Sequence, residues 1–229
     1  MHKNPVIFVC IPAFNEEATI GKIVLSAQKY VDRVVVCDDG SLDATSEIAE
    51  KCGAFVLRHE RNMGKGIAIT SLFRAVYKDG ADIIVLLDGD GQHDPSEIPM
   101  LVKPIEQDQA DLAVGSRYLN NGNHIPLKRK IGLKILDHLT KIIFKIHVND
   151  TQCGFKAFSR EALETIVPLE SKGYGVDSEI LVLASKNGVR VMEVPISVRY
   201  AKLAKTSKKP CLIHGIELLI ALLRLSISS

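Results

Sequence analysis

The stretch Ile83-Ile84-Val85-Leu86-Leu87-Asp88-Gly89-Asp90-Gly91-Gln92-His93-Asp94-Pro95 decides the architecture. Its first five residues are apolar without alternation, as in a strand covered on both faces; a strand with one wet face would alternate. The run then breaks into a polar loop in which two carboxylates stand two positions apart around a glycine. Apolar runs of the same kind recur at 6–11, 33–37, 54–57 and 112–114, with helical patterns at 17–30, 44–51, 66–77 and 95–107. Asp43 is placed to cap the second helix, followed by Glu47 in its first turns. This alternation predicts an α/β chain, a mostly parallel sheet with helices on both faces. Ligands of such sheets bind at the carboxyl ends of the strands, so the polar clusters after each strand are the places to look.

The second half is less regular. A loop at 120–126 precedes a long helical pattern at 127–146, a strand at 154–158, a helix at 177–187, a strand at 190–194 and an extended piece at 195–200. A basic loop with Lys202, Lys205, Lys208 and Lys209 leads to a C-terminal amphipathic helix at 213–227. No repeat or linker divides the chain, so residues 1–229 are expected to form a single domain.

Composition narrows the function. With 46% hydrophobic and 24% charged residues over 229 positions, the chain can bury a large core, and disorder, collagen and coiled coil are excluded. A net charge of +2, 5% aromatics and no Trp argue against a nucleic-acid partner. The five cysteines, Cys10, Cys37, Cys52, Cys153 and Cys211, form no CxxC pair and read as reduced thiols. The N-terminal apolar run ends at Ile11, too short for a signal peptide. No apolar run reaches the roughly 18–20 residues that span a bilayer. The best candidate, 212–227, is interrupted by His214, Glu217 and Arg224. The expectation is a protein that is soluble or lies on a membrane.

Asp88 and Asp90 can point into one pocket, and held that close they repel unless a cation joins them. Hard oxygen donors suit Mg²⁺ or Mn²⁺, which commonly take one or two carboxylates plus substrate phosphates. The plainer reading is a turn, since Asp-Gly pairs are turn formers. Asp38-Asp39-Gly40-Ser41, after the second strand, is equally a strand-to-helix turn or an acceptor for a nucleotide base. Pro12-Ala13-Phe14-Asn15-Glu16-Glu17 opens the first helix. Asn62-Met63-Gly64-Lys65-Gly66 puts small residues and a lysine at a helix start, which suits phosphate, although neither a Walker A loop nor a GxGxxG fingerprint is present. Four strand ends on one sheet edge thus carry groups compatible with a nucleotide or a metal.

The order IPAFNEE, VVVCDDGS, NMGKG, LLDGDGQHDP, VGSRY and DTQCGFKAF resembles the family 2 glycosyltransferases of GT-A fold, and most of all their polyprenyl-phosphate (dolichyl-phosphate) mannosyl- and glucosyltransferases. The resemblance runs from Val6 to the segment 188–199 and the Ser207-Lys208 loop. It implies a metal-dependent, inverting transfer of a hexose from a nucleotide-sugar, with DTQCGFK leaning towards UDP, to a polyprenyl phosphate. By that resemblance Pro12, Ala13, Phe14, Glu16, Asp39, Lys65 and Gly89 belong to the nucleotide-sugar site. Asp88 contacts the donor, and Asp90 and Gln92 hold Mg²⁺ or Mn²⁺, with Asp88 and Asp90 as the catalytic pair. Arg117, Arg129, Arg199 and Lys208 meet donor and acceptor phosphates. Residues 1–118 would then be the nucleotide-binding half, 119–210 the acceptor and sugar half, and 211–229 the C-terminal amphipathic helix. Asp177 and Glu179 are candidates for contacts near the sugar, or simply for helix capping and surface charge.

Many such enzymes carry transmembrane helices after this unit, and this sequence has none. Membrane contact has separate support in the pattern at 127–146. There Ile131, Ile135, Leu139, Ile142 and Ile146 recur at helical spacing among Lys128, Arg129, Lys130, Lys134, Lys141 and Lys145. That helix fits a membrane surface or packs on the core. The expected location is cytoplasmic, peripheral on the cytoplasmic face of a membrane. The C-terminal helix could lie in the interface, pack on the domain or pair two chains into a homo-oligomer. Two alternatives share the donor site: a transferase acting on a saccharide hydroxyl, and a non-catalytic module that binds nucleotide or lipid.

Overall fold

The structure, a computed structural model, describes residues 4–120, 127–144, 147–171, 173 and 175–199. Seven strands form one sheet: β1 (Ile7–Ala13), β2 (Arg33–Asp38), β3 (Phe55–Arg58), β4 (Ile83–Leu86), β5 (Leu112–Ser116), β6 (Lys156–Ser159) and β7 (Val191–Pro195). Their order across the sheet is β3-β2-β1-β4-β6-β5-β7. All neighbours are parallel except β6, which runs antiparallel to both β4 and β5. Every residue of β4 and β5 is buried, as is each of β2 except Arg33, so both faces of the central sheet are covered, as the unbroken apolar runs require. The outer strand β3 departs from this expectation. It is an edge, and Phe55 is half exposed.

The helices are α1 (Ile20–Ala27), α2 (Thr45–Lys51), α3 (Lys65–Lys78), α4 (Ile98–Glu106), α5 (Leu127–Phe144), α6 (Arg160–Ile166) and α7 (Val176–Lys186). The first is shorter than expected because Asn15 takes a left-handed conformation (φ 53°) and the chain turns before the helix starts. Asp43 does support α2, from one position before its cap residue Ala44, by accepting from the Thr45 backbone N–H at 3.1 Å. The pattern at 95–107 divides into a 3₁₀ turn (Pro95–Glu97), capped by Asp94 through the Ser96 N–H, and α4. Helix α6 was not expected. Its start is fixed by Ser159, whose hydroxyl accepts from the Ala162 N–H, and seven residues are too few for a clear period.

Helix α5 presents a mixed surface. Asp137 and Thr140 are buried, whereas Ile131, Ile135 and Ile142 are 53%, 56% and 63% exposed, so these isoleucines do not pack on the core. Asp137 fastens the helix: it accepts from the Thr151 N–H and hydroxyl at 2.8 and 2.7 Å and from the Tyr118 hydroxyl at 2.8 Å. Among the described residues no helix is long and apolar enough to cross a membrane. The loop at 121–126, the basic lysines from Lys202 onward, Cys211 and the expected C-terminal helix lie outside the described residues.

Candidate active site

The carboxyl ends of β1, β2, β3 and β4 bring their loops together. The loops after β1 and β2 are stitched by three backbone N–H donors: Asn15 to the Ser41 hydroxyl (2.8 Å), Glu16 to the Thr45 hydroxyl (2.8 Å) and Leu42 to the Asn15 amide oxygen (2.9 Å). Gly40 makes the turn possible. Its φ is +73°, and a Cβ there would meet the backbone of Arg61 at 2.4 Å. Asp38 is fully buried and accepts from the Ser41 N–H at 2.8 Å. Asp39 is buried as well, and its carboxylate accepts from the N–H groups of Met63 (2.9 Å) and Gly64 (2.8 Å), with His59 Nδ1 at 2.7 Å. Asp39 thereby fixes the backbone at the entrance of α3, just before Lys65. An open cleft lined by Gly40, Ser41, Leu42, Arg58, His59 and Glu60 adjoins it.

The loop after β4 lies against the start of the chain's first loop. The Thr19 hydroxyl donates to the Gly89 carbonyl at 2.7 Å. A Cβ on Gly89 would come within 3.2 Å of the Pro12 carbonyl and 3.5 Å of the Ala13 side chain, so glycine lets these two loops touch. Asp88 meets Lys65 Nζ at 2.9 Å. Its carboxylate rests on the backbone of Gly154, where a Cβ would stand 2.2 Å from Asp88 Oδ2. Asp90 accepts from the Gln92 N–H at 3.0 Å, and its other oxygen takes a short bond from the Gln92 side-chain amide. Burial first, and then the charge of Asp88, push the Asp90 carboxyl above the ordinary aspartate value.

The donor set fits a hard cation. Among the described residues no cluster of three or more His, Cys, Asp or Glu could hold a metal alone. One carboxylate (Asp90) and a side-chain amide (Gln92), completed by phosphate oxygens, is the kind of partial site that magnesium-like ions use. Asp90 and Gln92 are the residues that would hold Mg²⁺ or Mn²⁺.

Positive groups ring this loop, though not all in the way expected. Arg117 is buried and clasped by Asp150, which accepts from its backbone N–H at 2.9 Å and its Nε at 2.6 Å and pairs with its terminal nitrogen at 2.5 Å. Arg199 is exposed. Its backbone N–H donates to the Gln92 carbonyl at 3.0 Å and its guanidinium pairs with Asp94. A bridge between His93 and Val198 lays this segment alongside the acidic loop. His93 is buried beside Phe155 with no partner for its Nδ1 among the described residues, and burial lowers its pKa to about 4, so it is neutral near pH 7. The side chain of Arg129, and Lys208, lie outside the described residues.

Asp177 is neither a surface charge nor a helix cap. It is buried, α7 has no side-chain cap, and both of its oxygens face lysines: Oδ2 to Lys65 at 3.0 Å and Oδ1 to the wholly buried Lys156 at 2.7 Å. Glu179 is buried too and accepts from the N–H groups of Glu170 (2.6 Å) and Ser171 (2.9 Å), holding that loop. Lys156, Asp150, His59 and Gly154 were not singled out from the sequence. The motif DTQCGFK contains three of the four, but their partners lie far along the chain.

Three comparisons place this architecture. The family model for glycosyl transferase family 2 matches residues 8–167. A UDP-N-acetylglucosamine–dolichyl-phosphate N-acetylglucosaminyltransferase of Methanococcus voltae is 34% identical over 220 residues, covering 87% of this chain and 88% of that protein. A polyprenol monophosphomannose synthase of Mycolicibacterium smegmatis is 31% identical, covering 82% of this chain and 76% of its own. Among solved structures, glucosyl-3-phosphoglycerate synthase of Mycobacterium tuberculosis with Mg²⁺ and UDP superposes with a TM-score of 0.77 at 25% identity, covering 97% of this chain and 80% of that one. The same enzyme has been crystallised with Mn²⁺ and UDP-glucose. The mostly parallel sheet with its one antiparallel strand is a GT-A-like fold, and the chain belongs to glycosyl transferase family 2.

Proposed function

We propose that this glycosyltransferase moves a hexose from a nucleotide-sugar, a UDP-sugar by preference, to a polyprenyl or dolichyl phosphate, with Mg²⁺ or Mn²⁺ and inversion at the anomeric carbon. The observation that carries this reading is the pairing of Asp88 and Asp90 on one loop at the sheet's carboxyl edge, with Lys65 2.9 Å from Asp88 and the Asp90 carboxyl raised by burial and its neighbour. Such a site suits a diphosphate brought in with a cation. The Methanococcus and Mycolicibacterium relatives are named for transfer to dolichyl phosphate and for polyprenol monophosphomannose synthesis, and the first uses a UDP-sugar.

Residues 1–118 would hold the donor. Pro12, Ala13, Phe14 and Glu16 line the loop that lies against Gly89, and Asp39 with the adjoining cleft would receive the base and ribose. A bound Mg²⁺ or Mn²⁺ supplies positive charge against the departing nucleoside diphosphate. Lys65 adds a second positive group at the start of α3, where the helix N–H groups also favour anions. An oxygen of the acceptor phosphate attacks the anomeric carbon. The bond from that carbon to the nucleoside diphosphate breaks, and its electron pair leaves with the diphosphate. The acceptor oxygen is already ionised near neutral pH, so charge neutralisation and orientation matter more than a strong base. Arg117, Arg129, Arg199 and Lys208 are the proposed phosphate partners in and around 119–210. The exposed isoleucines of α5, with Lys134 and Lys141 on the same helix, are suited to an anionic membrane surface on the cytoplasmic side, where the lipid acceptor resides.

Calorimetric titration of the purified chain with UDP and with GDP, each with and without Mn²⁺, tests the donor site. Binding of UDP that depends on Mn²⁺ is expected. Binding of neither nucleotide under any condition would overturn the reading in favour of a transferase-like module with a degenerate site.

A further inference from the structure

Four charged groups from four separate elements meet under the donor loop in an alternating chain: Asp88 after β4, Lys65 at the first position of α3, Asp177 in the first turn of α7 and Lys156 on β6. The links are 2.9, 3.0 and 2.7 Å. Lys65 is badly placed by local rules, because a cation at a helix N-terminus opposes the helix dipole and belongs at the other end. Lys156 is wholly buried, where an ammonium is costly unless paired. Among the described residues its other partner is the Cys153 carbonyl. Both anomalies are resolved by one residue, since Asp177 gives an oxygen to each lysine.

We propose that Asp177 is a positioning residue: it holds Lys65 against Asp88, with Lys156 as its buried counter-charge, and so sets the donor-contacting lysine from the far half of the chain. The proposal rests on the reading of Lys65 and Asp88 as donor-site groups, and adds that their geometry is fixed by α7 and β6. Burial acts against the Lys65 ammonium, but Asp177 and then Asp88 outweigh it and raise its pKa. Lys156 and Lys65 together overcome burial at Asp177 and lower its pKa. Lys65 and Asp177 are thus both charged near neutral pH. Asp177 does not touch the reacting atoms in this scheme; it acts through Lys65.

The single variant Asp177→Asn would leave the Lys156 ammonium buried without its counter-charge, and the fold could fail for that reason alone. The informative variant is Asp177→Asn with Lys156→Gln, which removes both charges and keeps a donor for the Cys153 carbonyl. Lys65→Met and the triple variant complete a cycle. Two measurements are made on the full chain: hydrogen exchange of the Lys65 ammonium by ¹⁵N NMR, assigned by its absence in Lys65→Met, and affinity for UDP with Mn²⁺. The double variant is expected to keep a thermal midpoint near that of the wild type, to exchange the Lys65 ammonium about tenfold faster, and to lose about tenfold in UDP affinity. Lys65→Met should lose as much, and the triple variant no more. Unchanged exchange in the double variant would overturn the proposal. So would losses that multiply in the triple variant, because Asp177 would then act on the ligand independently of Lys65. If the wild type bound no nucleotide while exchange still quickened in the double variant, the positioning by Asp177 would stand and the donor reading would fall.

Discussion

At the scale of single residues, the acidic loop depends on a glycine that has no conformational peculiarity of its own. Gly154 is required by proximity: a methyl group there would stand 2.2 Å from Asp88 Oδ2. Gly154→Ala must therefore move the carboxylate or the strand end that carries it. The expected result is a drop in kcat/KM of at least about tenfold, equivalent to about 1.4 kcal/mol of lost transition-state stabilisation, with a thermal midpoint shifted by only a few degrees. An active Gly154→Ala variant would mean that Asp88 does not need its present position. The glycine can be seen in the sequence as part of DTQCGFK, but its reason cannot, because Asp88 is brought to it by the antiparallel pairing of β4 with β6. The same holds for Arg117. Its sequence neighbourhood suggests a phosphate contact but gives no sign of the buried pairing with Asp150, 33 residues away, that holds its side chain.

At the scale of elements, the apolar runs made β1, β2, β4 and β5 legible, since burial on both faces leaves an unbroken hydrophobic string. The insertion of β6 between β4 and β5 was not legible, because strand order depends on long-range pairing that no local pattern records. Helix α5 was only half legible. Its spacing fits either the core or a membrane, and the exposure of Ile131, Ile135 and Ile142 takes these three residues off the core. Replacing Ile135 and Ile142 together by Asp should reduce co-sedimentation with anionic vesicles severalfold while leaving the thermal midpoint nearly unchanged. A large loss of stability with unchanged vesicle binding would put that face in a protein contact instead.

The inner side of α5 makes a separate prediction. Burial raises the pKa of Asp137, so the folded state binds this proton more tightly than the unfolded chain does. The resulting stability is fully present below the unfolded value of about 4 and is lost as pH rises through the folded value. Asp137→Asn can keep the bonds to Thr151 and Tyr118 without the charge. Its thermal midpoint should therefore gain on the wild type as pH rises from about 4 to 7, in a series of melts at constant ionic strength. Parallel midpoints across that range would contradict the buried-carboxylate account.

At the scale of the whole molecule, the two halves of the chain share one sheet, and the charged relay from Asp88 through Lys65 and Asp177 to Lys156 crosses between them. The family could be read from the sequence because its polar motifs follow successive strands, and parallel topology carries those strand ends to one edge. The relay could not be read, because Lys65 and Asp177 are 112 residues apart and each looks ordinary in its own segment. The central claim is metal-dependent transfer of a hexose to a lipid phosphate. Its most direct test is incubation of the chain with vesicles containing polyprenyl phosphate, radiolabelled UDP-glucose, UDP-N-acetylglucosamine or GDP-mannose, and Mn²⁺ or a chelator, followed by extraction of the lipid. The account predicts a labelled glycolipid from one donor, most strongly a UDP-sugar, that disappears with the chelator and with Asp90→Ala. Label transferred to a free saccharide but never to the lipid, or equal yield from the Asp90→Ala variant, would contradict it.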